Sequence, residues 1–159
     1  MTTVKEQKIF YELFCQLGDL PEIPKESSVV IIPKNVPINT LLEVLAQYRE
    51  KKGISHLEAK DFLNNDISYC VSNPQKETMA GTMKEILEKT VGTRRATAKE
   101  LICCALFDGD ITGLIPCLGD IKGEFVPMLS IGDRILLNSV SLEQGFGQVT
   151  IISYDDISL

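Results

Sequence analysis

The spacing of apolar residues divides the chain into a helical first two-thirds and a β-rich last third. Before residue 108 most apolar side chains recur every three or four positions, a period typical of amphipathic helices. The stripe of the first predicted helix consists of Val4, Ile9, Phe10, Leu13, Phe14 and Leu17. The stripe of the second, a helix that Pro37 begins, consists of Leu41, Leu42, Leu45 and Tyr48. Gly18 and Gly53 mark the ends of these two helices.

Two further helices are predicted between residues 79 and 107. The stripe of the earlier one consists of Met79, Met83, Ile86 and Leu87. Thr97 and Glu100 introduce the later one, because they have the spacing of a capping box, in which each side chain binds a backbone N–H at a helix start. Its buried side consists of Leu101, Ile102, Ala105 and Leu106. The pattern therefore predicts that Asp108 follows a helix.

Strands are predicted mainly after residue 108. Two short ones precede that point, at Val29–Ile32 and at residues 67–71, while Ser55 and Glu58 fit either a helix cap or a strand. Beyond it, glycines separate short β-rich runs, which are typical of antiparallel strands joined by tight turns. The sequence therefore predicts a single α+β domain over residues 1–159. Helices and two short strands would fill its N-terminal two-thirds, and an antiparallel β-meander its C-terminal third.

One motif suggests an enzyme. Residues 108–112 read Asp-x-Asp-x-Thr, which resembles the start of the active site in phosphohydrolases of the haloacid dehalogenase superfamily. In such a site Asp108 would attack phosphorus from a strand end, Asp110 would act as general acid, and Mg²⁺ would also contact downstream carboxylates such as Asp155 and Asp156. The predicted helix before Asp108 opposes this hypothesis, and the interval before Asp155 is too short for the required crossovers. The alternative is a helix exit in which Gly109 supplies a left-handed turn.

The net charge of −6 lies in the C-terminal third. Residues 101–159 contain eight acidic and two basic side chains, and residues 1–100 carry equal numbers of each sign. This distribution disfavours nucleic acid and membrane surfaces as partners, and it favours a basic partner unless the charges serve only solubility. The candidate binding residues are Asp120, Glu124, Asp133 and Glu143 on an acidic β-face, with Phe146 at a loop tip.

The cysteines and histidine restrict metal and redox chemistry. The cysteines are Cys15, Cys70, Cys103, Cys104 and Cys117. They include no Cys-x-x-Cys pair and mostly stand in apolar runs, which is typical of buried, reduced thiols in cytosolic proteins. A single histidine, His56, gives no basis for a His-rich metal site. We expect no metal and no cofactor, and the lack of a signal-peptide core or long apolar run predicts a cytoplasmic location.

Residues 118–131 resemble a motif, L-G-[SD]-x-x-G-x-x-V-P-x-L-x-I, of a bacterial domain family that has no assigned function. The matching positions are Leu118, Gly119, Asp120, Gly123, Val126, Pro127, Leu129 and Ile131. The upstream segments RRATAKELI and VVIIPKNVP are similar to other parts of that family, so the resemblance extends over residues 29–154. It departs at the last hairpin, where the family is rich in Trp and this chain has none. The resemblance implies an α+β fold and a bacterial origin, and it transfers no catalytic residue.

Taken together, these patterns favour a non-catalytic cytosolic domain that binds a protein partner or a small-molecule ligand. No set of residues combines suitable chemistry with a suitable predicted placement. The alternative is an Mg-dependent phosphohydrolase that uses Asp108 and Asp110. A third possibility, a protein that neutralises a basic toxin, rests on small size and acidity alone.

Overall fold

A computed structural model of the chain describes residues 3–14, 29–34, 36–55, 62, 69–72 and 74–154, and these form four helices and eight strands. The helices are α1 (Val4–Phe14), α2 (Ile38–Tyr48), α3 (Met83–Lys89) and α4 (Ala98–Phe107). The strands are β1 (Val29–Ile32), β2 (Ile54–Ser55), β3 (Tyr69–Ser72), β4 (Gln75–Thr82), β5 (Gly113–Pro116), β6 (Phe125–Ile131), β7 (Ile135–Ser141) and β8 (Gly145–Ser153). Several residues on which predictions rest lie outside the described part: Cys15, Leu17, Gly18, His56, Glu58, Asp155 and Asp156.

The strands form three small sheets that confirm the α+β class. β5, β6 and β7 make consecutive antiparallel pairs, and β2 joins β7 in parallel. β8 leaves this meander and pairs antiparallel with β4, while β1 pairs antiparallel with β3. β1 and β3 correspond to the two predicted early strands. β2 includes Ser55, where a strand was one of the two predicted alternatives, and β4 is an additional strand that the sequence did not predict.

The helix predicted from Met79 begins four residues later than expected. Met79 lies in β4, and α3 starts at Met83 after a capping box formed by Thr82 and Glu85. Thr82 Oγ1 accepts a hydrogen bond from the Glu85 N–H at 3.1 Å, and the Glu85 carboxylate accepts one from the Thr82 N–H at 3.1 Å. Met79 packs against the same apolar cluster as α3. Met79 and Met83 therefore have a four-residue spacing because both pack into the same apolar cluster, although Met79 lies in a strand and Met83 in a helix.

The first helix buries a polar face that the sequence pattern missed. Ile9 and Leu13, predicted to be buried, are 50% and 75% exposed, whereas Gln7 and Tyr11 are fully buried. The Gln7 amide donates to the carbonyl of Val29 at 2.8 Å and accepts from the N–H of Ile31 at 2.8 Å. The Tyr11 hydroxyl donates to the Ile31 carbonyl at 2.9 Å. These bonds satisfy backbone groups on β1 that face α1, and this requirement determines which side of the helix is buried.

Two apolar clusters stabilise the fold. The larger surrounds α4, which packs against α2 and β1 and is buried at every residue except Phe107. The smaller lies between α3 and the C-terminal strands and consists of Met83, Ile86, Leu118, Val126, Met128, Val149 and Ile151. Tyr48, predicted on the buried stripe of α2, is 64% exposed and touches Phe10 edge-on. Among the helices that the structure describes, none is long and apolar enough to cross a membrane.

Candidate functional site

The structure places Asp108 directly after a helix, as the capping-box pattern predicted. α4 ends at Phe107, and the Asp108 N–H donates to the carbonyl of Cys104 at 3.0 Å. The phosphohydrolase hypothesis requires Asp108 at a strand end, so its geometry is wrong for that chemistry. Asp108 thus lies at a helix exit, as the alternative expected, but Gly109 does not supply a left-handed turn there, because its φ is not positive.

Both carboxylate oxygens of Asp108 have structural partners. Oδ1 accepts a hydrogen bond from the N–H of Asp110 at 3.0 Å, and Oδ2 lies 2.8 Å from Nζ of Lys76 in β4. Burial raises the pKa of the Asp108 carboxyl, but the bonds from Lys76 and Asp110 and the nearby charge of Arg49 outweigh it and hold that pKa below its ordinary value. The Asp110 side chain itself is exposed. Asp108 thus ties the end of α4 to β4.

Arg49, which directly follows α2, binds backbone carbonyls at the same end of α4. Its guanidinium donates through Nη2 to the carbonyls of Ala105 and Asp108, both at 2.7 Å, and through Nη1 to the carbonyl of Ile111 at 2.5 Å. Burial lowers the pKa of Arg49, and the neighbouring Asp108 charge opposes that shift. The carbonyls at a helix C-terminus lack intrahelical partners, so a cation that satisfies them stabilises the helix.

We predict that any phosphate release by the chain is unaffected by Asp108→Asn. The asparagine amide oxygen can still accept from the Asp110 N–H, so the exit from α4 is retained, while a nucleophilic carboxylate is removed. The measurement is phosphate release from p-nitrophenyl phosphate with Mg²⁺, for wild-type and variant proteins at matched concentration. Activity that is present in the wild type and lost in the variant would restore the phosphohydrolase hypothesis.

At the other end of α4, the predicted capping box is confirmed and extended by an arginine. Thr97 Oγ1 accepts from the Glu100 N–H at 3.2 Å, and Glu100 Oε1 accepts from the Thr97 N–H at 3.0 Å. The second carboxylate oxygen of Glu100 accepts from Nη2 of Arg94 at 2.6 Å. The Arg94 guanidinium also lies over the ring of Tyr154, 5.7 Å from its centroid. Glu100 is fully buried, so this network fixes the helix start rather than presenting a charge to solvent.

The turn of residues 118–120 docks onto this helix start. The N–H of Gly119 donates to the carbonyl of Ala96 at 2.9 Å, and Oδ2 of Asp120 accepts from the N–H of Ala98 at 2.7 Å. Asp120 is only 6% exposed, so its assignment to an exposed acidic face was wrong. The carboxylate instead occupies the position that the helix dipole favours for an anion. Residues 96–98 and 118–120 are thus joined by two hydrogen bonds at the start of α4.

The described cysteines are buried free thiols, namely Cys70, Cys103, Cys104 and Cys117. Burial raises the pKa of Cys104 to about 12, with a further contribution from the Asp108 charge. Burial, followed by the charge of Asp120, raises the pKa of Cys117 as well. A thiol is nucleophilic as its thiolate, so these residues are held in their unreactive form near neutral pH.

We expect iodoacetamide to leave these four cysteines unmodified in the native protein. The test uses a Cys15→Ser variant, so that every remaining thiol belongs to the described fold, and mass spectrometry of native and urea-unfolded samples. Modification in the native state should be at least about a hundredfold slower, because it requires local opening of the core. Native labelling of Cys103 or Cys104 at the rate of an exposed thiol would contradict the structure.

The remaining predicted acidic residues are exposed but do not share one face. Glu124 precedes β6 and Glu143 follows β7, so they lie at the same end of that hairpin, whereas Asp133 lies in the turn at the opposite end. β6 separates the two ends by about 20 Å, given the rise of a strand residue. The predicted acidic β-face is therefore corrected to one pair, Glu124 with Glu143, and a distant Asp133.

The pair lies on two adjoining turns, residues 122–125 and 141–144, which we call the two-turn end. The N–H of Lys122 donates to the carbonyl of Phe125 at 3.0 Å, and the N–H of Phe125 donates back at 3.1 Å. Gly123 between them has a φ of 61°, a conformation that favours glycine. The N–H of Leu142 donates to the carbonyl of Glu124 at 3.0 Å and joins the two turns.

The second turn is anchored to the start of α3. Within the turn, the N–H of Gln144 donates to the carbonyl of Ser141 at 3.1 Å. The N–H of Met83 donates to the carbonyl of Gln144 at 3.1 Å, and that of Lys84 donates to the carbonyl of Leu142 at 3.0 Å. Backbone hydrogen bonds therefore join the two turns to each other and to the start of α3. The backbone that carries the side chains of the two-turn end is thereby ordered.

The aromatic residue exposed at this end is Phe125, and the predicted Phe146 is not. Phe125 is 55% exposed, whereas Phe146 lies in β8, half-buried against the smaller core. Within the part of the chain that the structure describes, the carboxylates of Glu124 and Glu143 form no ion pair and no hydrogen bond. The backbone N–H of Glu143 donates to Oγ of Ser141 at 3.2 Å. The two-turn end thus displays one aromatic ring, two carboxylates and the exposed Lys122 to solvent. In the sequence Phe125 directly follows a Lys-Gly-Glu turn, but this position gives no signal that ranks its exposure above that of Phe146.

The chain matches no protein-family model, no curated protein and no solved structure. Over residues 3–14, 29–34, 36–55, 62, 69–72 and 74–154, no group of three or more His, Cys, Asp or Glu side chains is placed to hold a metal ion. The two-turn end is the place where two of the predicted binding residues, Glu124 and Glu143, lie at the same end of one hairpin.

Proposed function

We propose that the chain is a non-catalytic interaction domain that binds a basic protein segment at the two-turn end. The observation that carries this proposal is Phe125, a large aromatic side chain that is 55% exposed at the same end of the β6–β7 hairpin as the unpaired carboxylates of Glu124 and Glu143. The two acidic residues were predicted as binding residues, and Phe125 takes the place assigned to Phe146. The cytoplasmic location and the bacterial origin belong to the same proposal.

The chemistry of this end selects a cationic partner. A lysine or arginine side chain placed over the Phe125 ring gains a cation–π interaction, and the carboxylates at the same end of the hairpin offer charge-assisted hydrogen bonds to a basic segment. The excess of acidic residues in positions 101–159 extends the attraction to distances at which it accelerates association. Arginine fits best, because its planar guanidinium can stack on the ring and bind a carboxylate at the same time.

The hydrogen-bonded backbone of the two turns reduces the entropic cost of binding a partner. Leu142 joins the two turns, and the start of α3 holds the second turn through Met83 and Lys84. A surface whose backbone is already ordered loses less conformational freedom when a partner docks. The exposed aromatic ring would act as the central anchor of such an interface, and the carboxylates at its rim would set the rate and the salt dependence of association.

The functional test compares two pairs of charge reversals in co-purification from the native host. Glu124→Lys with Glu143→Lys changes the two-turn end, and Asp110→Lys with Asp133→Lys makes the same change in net charge at exposed positions elsewhere. The partner, identified by mass spectrometry and purified, should carry a Lys- or Arg-rich segment. We expect the first pair to weaken its binding by about tenfold or more, and the second pair to have little effect.

Phe125→Ser provides the second arm of this test. It removes the ring and keeps both carboxylates, and because the position is exposed we expect the variant to keep its fold. We expect a loss of affinity of about tenfold, which is the usual effect of truncating an aromatic anchor. A partner without a basic segment, or binding that all three variants leave intact, would contradict the proposal.

A further inference from the structure

We draw no further inference here: the strongest candidate, the exposed apolar face of α1 formed by Ile9 and Leu13 with Tyr48 of α2 close by, carries nothing because nothing in the structure shows what covers it.

Discussion

Replacing Gly119 by alanine should lower the free energy of unfolding by about 2–3 kcal/mol, which is typical of an extra methyl group forced into a packed interior. A β-carbon at this position would lie 2.8 Å from the carbonyl oxygen of Arg95 and 2.9 Å from the carbonyl carbon and oxygen of Ala96. These are backbone atoms, and Asp120 bound to the Ala98 N–H holds the turn against them. The strain therefore cannot be relieved by rotating a side chain.

Urea unfolding followed by circular dichroism measures this effect. Gly109→Ala is the matched control, because that glycine has no positive φ and a β-carbon there would meet no atom within 4 Å. We expect the control to change stability by no more than about 0.5 kcal/mol. Equal changes in the two variants would show that residues 118–120 do not dock on the start of α4.

Gln7→Met should lower the free energy of unfolding by about 2–4 kcal/mol. Methionine fills nearly the same volume but cannot bind the Val29 carbonyl or the Ile31 N–H, and each buried backbone group left without a partner costs about 1–3 kcal/mol. The exposed residue Gln47 in α2 offers the matched control, Gln47→Met. The same urea titration compares the two variants. If Gln7→Met were no more destabilising than the control, α1 would not bind β1 through this side chain.

Features that depend on local sequence could be predicted. Thr97 and Glu100 mark the start of α4 because both hydrogen bonds of a capping box join residues three positions apart. The residues that follow this capping box are apolar and form a buried helix, so the prediction that Asp108 follows a helix was correct. The glycine-separated strands after residue 108 were predicted for a similar reason, since tight turns impose local conformational requirements.

Features that depend on distant partners could not be predicted. From the sequence alone Gln7 is expected at the surface, because its burial depends on β1 lying beside it. Asp120 is likewise expected to be a surface charge, because its burial depends on the N–H of Ala98 lying next to it. β4 has no alternation of apolar residues, and it forms a strand because β8 supplies its backbone partners. These three errors therefore concern segments whose state is set by tertiary hydrogen bonds.

The candidate site could be predicted only in part, because its composition also depends on tertiary structure. The acidic excess after residue 100 was visible in the sequence, but its division between Glu124 with Glu143 at one end and Asp133 at the other follows from the pairing of β6 with β7. Phe125 and Phe146 could not be ranked by exposure, because Phe146 lies against a core built from α3 and strands far apart in the chain. The choice between the two rings required the packed structure.

The central claim is that the two-turn end binds cationic side chains, and titration with an oligoarginine peptide tests it most directly. Chemical shifts of backbone amides in the isotope-labelled chain locate the contact, at physiological ionic strength, where charges more than about 8 Å apart are largely screened. We predict shifts confined to residues 122–125 and 141–144, lost in Glu124→Lys with Glu143→Lys and retained in Asp110→Lys with Asp133→Lys. Shifts spread over all acidic positions, or lost equally in both pairs, would contradict the account.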